Sequence, residues 1–112
     1  SKILIIGVAY KKDIDDTRES PALDIIQLLI NSEATIDYHD PFVPSLSIND
    51  ISLKSMNNMN GEKLNSYDAC VVITDHSNID FEMVYNHSQL IIDTRNVFID
   101  KTGNHVKRLG QG

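Results

Sequence analysis

Three short and uninterrupted apolar runs constrain the fold of this chain most strongly. They cover residues 3–6, 70–73 and 90–92. Runs without polar alternation are typical of strands that are covered on both faces, as in parallel sheets. The first run is followed by apolar residues at helical spacing over 20–32. Because strand and helix signals alternate along the chain, the sequence predicts an α/β fold, a three-layer α/β/α sandwich around a mostly parallel sheet.

The boundaries of the predicted elements come from local signals. Ser20 and Pro21 provide an N-cap and a first-turn proline for the first helix, and Asp40-Pro41 ends the second strand. The predicted strands are 2–8, 35–39, 70–73 and 90–92, and the predicted helices are 20–32, 61–67 and 80–86. Residues 42–60 show no clear period and are predicted to be irregular, and residues 100–112 are predicted to form a polar tail.

Composition excludes several classes of protein. A length of 112 residues is suited to one domain, and a net charge of −6 argues against a nucleic-acid partner, which would meet a basic face. No stretch is apolar and long enough to span a membrane, and no leader precedes the first strand. Cys70 is the single cysteine and cannot form an internal disulfide. We therefore expect a cytoplasmic protein with neither a membrane nor a nucleic-acid partner.

The segment between the first strand and the first helix carries the densest charge in the chain. It includes Lys11, Lys12 and Arg18 and leaves the carboxyl end of a strand, where open α/β sheets bind ligands. Arg95 follows another buried strand and is suited to bidentate contact with phosphate or carboxylate. Solvated lysines and ion pairs between these arginines and neighbouring carboxylates remain the structural alternatives. The pattern favours an anionic ligand.

Other chemistry is not predicted. The first turn has Gly7 alone, so it lacks the GxGxxG pattern through which a backbone approaches a dinucleotide pyrophosphate. The histidines and carboxylates at strand ends have no metal-ligand spacing; Asp40 is expected to open its turn and His76 to hydrogen-bond its loop. Cys70 begins an apolar strand and is expected to be a buried hydrophobe. We therefore predict no catalytic and no metal-binding residue in this chain.

Four blocks in order carry a resemblance to a known family. They are Gly7-x-Ala9-Tyr10-Lys11-x-Asp13-x-x-Asp16-x-Arg18-Glu19-Ser20-Pro21, Tyr38-His39-Asp40-Pro41, Thr74-Asp75-His76 and Asp93-Thr94-Arg95-Asn96. Over residues 3–98 the chain resembles the C-terminal domain of the UDP-glucose/GDP-mannose dehydrogenase family. The resemblance implies a Rossmann-like domain, with Tyr10, Lys11 and Arg95 contacting a UDP-sugar and Arg18 facing the cofactor NAD.

The resemblance also implies a division of labour. The N-terminal NAD-binding domain and the central domain, which carry the nucleophilic cysteine and most of the NAD contacts, are absent here. Family members oxidise the C6 alcohol of a nucleotide sugar to a carboxylate in two hydride transfers to NAD. We accordingly expect an inactive and monomeric isolated domain, excised from a longer enzyme that forms a homodimer.

The blocks are most similar to those of bacterial UDP-N-acetylglucosamine 6-dehydrogenases that supply surface polysaccharides, with UDP-glucose as the alternative substrate. Two other classes remain open. One is a phospho-receiver-like domain that uses Asp75, although Asp15 and Asp16 follow the first strand too late for a magnesium site. The other is a free-standing nucleotide-binding module that regulates a partner.

Overall fold

The computed structural model describes residues 1–9, 20–48, 51–98, 100–101 and 103–108. Seven strands and three helices are assigned within these ranges. In chain order they are β1 (Lys2–Ile6), α1 (Pro21–Asn31), β2 (Thr35–His39), β3 (Ser45–Ile48), β4 (Ile51–Lys54), α2 (Gly61–Asn65), β5 (Ala69–Val72), α3 (Phe81–His87), β6 (Ile91–Asp93) and β7 (Val106–Arg108). No helix in the described ranges is long and apolar enough to cross a membrane.

A five-stranded sheet with the order β2-β1-β5-β6-β7 forms the middle layer. All four neighbouring pairs in this sheet are parallel, with Ile5 opposite Tyr38 on one side and opposite Val71 on the other. Since the sheet carries helices on both faces, the predicted three-layer, mostly parallel α/β fold is confirmed.

The alternation of side chains along β1 divides the core in two. Ile3 and Ile5 point into a cluster with α1, and Leu4 and Ile6 point into a cluster with α2 and α3. Residues 4–6 are inaccessible to solvent because helices cover both faces. This explains why β1 reads as a continuous apolar run rather than as an alternating one.

The first helix begins where the sequence predicts. The Ser20 side chain accepts a hydrogen bond from the Ala22 amide at 3.2 Å, and Pro21 occupies the first helical position. Proline is favoured there because that N–H has no partner within the helix. These two residues fix the direction in which the chain enters α1.

Two predicted regions are wrong, and one strand is shorter than predicted. Residues 42–60 are not irregular throughout: β3 and β4 form an antiparallel hairpin with Leu46 opposite Leu53. The predicted polar tail contains β7, which pairs with β6 and half-buries Val106 against the core. The first strand ends at Ile6 because Gly7 has a φ of +83°, outside the extended region.

Candidate functional site

Polar residues collect at the carboxyl edge of the sheet, where β1, β2, β5 and β6 end. The chain runs from β1 outward to β2 and then returns to place β5 on the other side of β1. The topology therefore reverses at the end of β1, and such switch points are where open α/β sheets bind ligands. We describe this edge from β1 outward.

The Asp40 carboxylate lies across the end of β1 and is 1% exposed. Its Oδ2 accepts hydrogen bonds from the Val8 amide at 2.7 Å and the Ala9 amide at 3.1 Å. Its Oδ1 accepts from the Phe42 amide at 2.8 Å, which confirms that Asp40 opens the turn after β2. A buried carboxylate needs such donors, because without them desolvation would be costly.

His76 provides a further donor to the same carboxylate. Its Nε2 lies 2.9 Å from Asp40 Oδ2, and neither side chain is exposed. Since a carboxylate oxygen only accepts here, Nε2 carries the proton and donates. The Phe42 ring packs against the imidazole with centroids 4.6 Å apart. The pair therefore connects the loop after β2 with the loop after β5, directly over the end of β1.

The carbonyl of Ala9 is held as well as its amide. Thr74 Oγ1 donates to Ala9 O at 2.6 Å, and Ser20 Oγ lies 3.5 Å from the same oxygen. Thr74 and Ser20 are both buried. Ala9, the last described residue before the charged segment, is therefore held at both its amide and its carbonyl.

Arg95 stands on a loop that a second buried carboxylate organises. Asp93 accepts from the Arg95 amide at 3.0 Å and from the Phe98 amide at 2.9 Å, and it is inaccessible to solvent. Asn96 adopts a φ of +60°, which asparagine tolerates better than most residues. The turn holds the Arg95 backbone, while its side chain is 44% exposed at the edge.

The Arg95 side chain has one carboxylate beside it. Its Nε lies 3.6 Å from Asp75 Oδ1, too far for a hydrogen bond, and this oxygen accepts none from the described residues. An ion pair of this length between partly exposed groups stabilises little. The guanidinium therefore keeps hydrogen-bonding capacity for an anion.

The turn at Gly7 lacks the glycines of a dinucleotide site. A Cβ on Gly7 would lie 2.5 Å from both the Cβ and the carbonyl oxygen of Thr74, so the loop after β5 packs directly against this turn. No further glycine occurs in the sequence between Gly7 and Ser20 to let the backbone approach a pyrophosphate, and the turn therefore does not fit NAD.

Of the four residues predicted from the sequence to contact substrate or cofactor, only Arg95 lies within the described residues. Tyr10, Lys11 and Arg18 lie outside the described residues, so their roles stay predictions. Within the described ranges no group of three or more His, Cys, Asp or Glu side chains could hold a metal ion.

The sequence predicts separate local roles for Asp40 and His76 but not the hydrogen bond between them. The topology contains the missing signal, because β2 and β5 flank β1 and their ends must meet above it.

Two buried side chains of the sheet have pKa values above their ordinary range. Burial, and secondarily the Asp40 carboxylate, raises the pKa of Tyr38 to about 12, and its hydroxyl donates to Val43 O at 2.7 Å. Burial raises the pKa of the Cys70 thiol, which Ser88 Oγ contacts at 3.3 Å. A buried thiol of raised pKa is a poor nucleophile, as the sequence analysis expects of Cys70.

Comparison with known proteins connects this geometry to a family. Residues 4–100 match the model of the UDP-glucose/GDP-mannose dehydrogenase family, UDP binding domain. A UDP-N-acetyl-D-mannosamine dehydrogenase of Methanococcus maripaludis is 32% identical over 99% of this chain and 27% of its own length.

The solved NDP-N-acetyl-D-galactosaminuronic acid dehydrogenase of Methanosarcina mazei is 30% identical with a TM-score of 0.72, covering 99% of this chain and 25% of that one. UDP-glucose 6-dehydrogenase 4 of Arabidopsis thaliana is 44% identical over 54 residues, 47% of this chain and 11% of its own. The chain thus spans about a quarter of the first two proteins.

Proposed function

Because this chain belongs to the UDP-glucose/GDP-mannose dehydrogenase family, as its UDP-binding domain, we propose that it binds the UDP part of a nucleotide sugar at the carboxyl edge of its sheet. It does so for an NAD-dependent 6-dehydrogenase that oxidises the C6 alcohol of the sugar to a carboxylate. The chain supplies binding groups, and the reacting groups and most NAD contacts belong to other domains of the longer protein.

The position of Arg95 at the carboxyl edge of the sheet is the observation that supports the proposal. Its backbone is fixed by buried Asp93, and its side chain is partly exposed beside Asp75 of the loop after β5. A guanidinium offers planar, paired donors that match a phosphate oxygen pair. Arg95 therefore contacts the diphosphate, and the long ion pair to Asp75 competes weakly with that contact.

The remaining residue roles follow from the family motif. Tyr10 and Lys11 contact the nucleotide sugar, and Arg18 faces the NAD side of the cleft. The hydrogen bonds to the amide and the carbonyl of Ala9 support the first two assignments, because they fix the residue that precedes Tyr10 and Lys11 in sequence. Lys12 is not assigned a ligand contact.

The sugar is proposed from the named relatives. The sequence blocks predict UDP-N-acetylglucosamine, but the archaeal relative that aligns with 99% of this chain is named for UDP-N-acetyl-D-mannosamine. We therefore place UDP-N-acetyl-D-mannosamine first. UDP-glucose is the second candidate, supported by the plant enzyme that matches about half of the chain.

The division of labour has consequences for the isolated chain. It binds UDP without reducing NAD, and it is a monomer in the cytoplasm when the surfaces of a homodimeric parent enzyme are missing. The turn after β1 supports this division, because Gly7 is its only glycine and the GxGxxG pattern through which a backbone approaches the pyrophosphate of a dinucleotide is absent.

Substitution of Arg95 tests the proposal. Loss of a charge-assisted hydrogen bond of about 1.5–3 kcal/mol corresponds to a dissociation constant for UDP that rises about 10- to 100-fold in Arg95→Ala. Lys2→Ala is the matched control, since it removes one positive charge at the amino end of β1. Titration calorimetry measures both. Equal affinities of the two variants would contradict the assignment of Arg95.

A further inference from the structure

The Asp40–His76 pair needs an explanation beyond stability. Both side chains are inaccessible to solvent and 2.9 Å apart. Burying a hydrogen-bonded carboxylate and imidazole costs desolvation, and apolar replacements of similar volume often stabilise a fold equally well or better. What such a pair provides, and an apolar pair lacks, is directional control of the groups around it.

The groups around the pair belong to the ends of three strands. Asp40 follows β2, His76 follows β5, and the amides of Val8 and Ala9 that share Asp40 Oδ2 follow β1. Asp40 therefore holds the end of β1 from one side while His76 fixes the carboxylate from the other. A change at His76 reaches Ala9 through a single intervening side chain.

This framework borders the proposed site on two sides. On one side it holds the amide of Ala9, and on the other His76 immediately follows Asp75, the ion-pair partner of Arg95. A displacement of about 1 Å at a binding group is enough to lose much of its contribution. Small errors in backbone position at the pair therefore reach the ends of both β1 and β5.

We propose that Asp40 and His76 are positioning residues for UDP, a buried pair that sets the end of β1 and the loop after β5, and through Asp75 the surroundings of Arg95. The inference rests on the proposed function. Neither side chain contacts the ligand, because both are enclosed by protein.

The test compares two substitutions of His76 in the 112-residue chain. His76→Ala removes the donor to Asp40, and we expect the dissociation constant for UDP to rise about tenfold or more. His76→Gln places an amide nitrogen close to the position of Nε2 and restores a donor, so we expect affinity within about threefold of wild type. Calorimetry is run at a temperature where circular dichroism shows each variant folded.

Tyr67→Phe is the matched control for a structural effect. It removes a 2.6 Å hydrogen bond to Asp37, from a tyrosine that is 3% exposed and precedes β5 at the amino edge. It lowers stability while leaving affinity for UDP unchanged. The proposal is overturned if folded His76→Ala binds UDP like wild type, or if Tyr67→Phe weakens binding equally.

Two further outcomes are decided by the same design. If His76→Ala does not fold, His76→Phe replaces it, since it keeps a ring against Phe42 and still lacks the donor. If the wild-type chain binds no UDP, the proposed function fails, and the hydrogen exchange rates of the Val8 and Ala9 amides then test whether the Asp40–His76 pair holds the end of β1. Exchange that is at least about tenfold faster in His76→Ala than in wild type supports this positioning role, and an unchanged exchange rate overturns it.

Discussion

Substitution of Gly7 by alanine perturbs the carboxyl edge of the sheet where the end of β1 packs against Thr74. Gly7 has a φ of +83°, and a Cβ there would lie 2.5 Å from the carbonyl oxygen of Thr74 and 2.8 Å from its amide nitrogen. These are backbone atoms of the β5 loop. They cannot retreat without loosening the 2.6 Å hydrogen bond from Thr74 Oγ1 to Ala9 O.

The expected cost of Gly7→Ala has two parts. A left-handed backbone for a residue with a Cβ costs about 1–3 kcal/mol, and forcing atoms into a packed site costs about 1–3 kcal/mol more. We therefore expect the free energy of unfolding to fall by about 3 kcal/mol or more, out of the roughly 5–15 kcal/mol typical of a domain. The urea midpoint then falls by more than about 1 M.

Gly61→Ala is the matched control for this prediction. Its added Cβ would meet the ring of His87 at 2.7 Å, but that ring belongs to an exposed side chain and can rotate away. Gly61 is the first residue of α2, where alanine is a better helix former than glycine. We expect a change within about 1 kcal/mol. Urea unfolding of Gly7→Ala indistinguishable from that of Gly61→Ala would refute the reasoning.

Two other predictions concern the shifted acidities. Burial raises the pKa of Tyr38 from 10.0 to about 12 in the folded chain, so the unfolded chain loses this proton first and stability falls as the pH rises from 10.0 to about 12. In urea unfolding, the free energy of unfolding of wild type should fall by up to about 1.4 kcal/mol per pH unit more than that of Tyr38→Phe. An equal fall in both proteins would contradict this prediction. Cys70 should react with iodoacetamide at pH 8 at least about tenfold more slowly in the folded chain than in urea, because burial raises the pKa of its thiol. Equal rates would show that the thiol is accessible.

The parts of the fold with strong local signals were predictable. The apolar run in β1 and the Ser20-Pro21 start of α1 each depend on neighbours in sequence, and the structure has both within two residues of the predicted bounds. The β3–β4 hairpin was missed because each strand is four residues long, too short for a period to emerge. Strand β7 was missed because its three residues Val106, Lys107 and Arg108 are mostly polar, and their pairing with β6 is non-local.

The candidate site was predictable residue by residue but not as an arrangement. Arg95 could be named because it lies in the polar loop that follows a buried strand. The contact between Asp40 and His76 joins residues 36 apart in sequence, and it requires the strand order as well as the strands themselves. Sequence position alone predicts that Asp40 opens a turn and that His76 hydrogen-bonds its loop. It does not predict the contact between the two side chains.

The central claim is that the carboxyl edge of this sheet binds UDP, and a titration of the ¹⁵N-labelled chain with UDP tests it most directly. Saturable shifts of the Ala9, Arg95 and Asn96 amides, with those of Lys2 and Asp68 at the amino edge unchanged, are the predicted result. No saturable shift up to millimolar UDP, or shifts centred on Lys2 and Asp68, would contradict the claim.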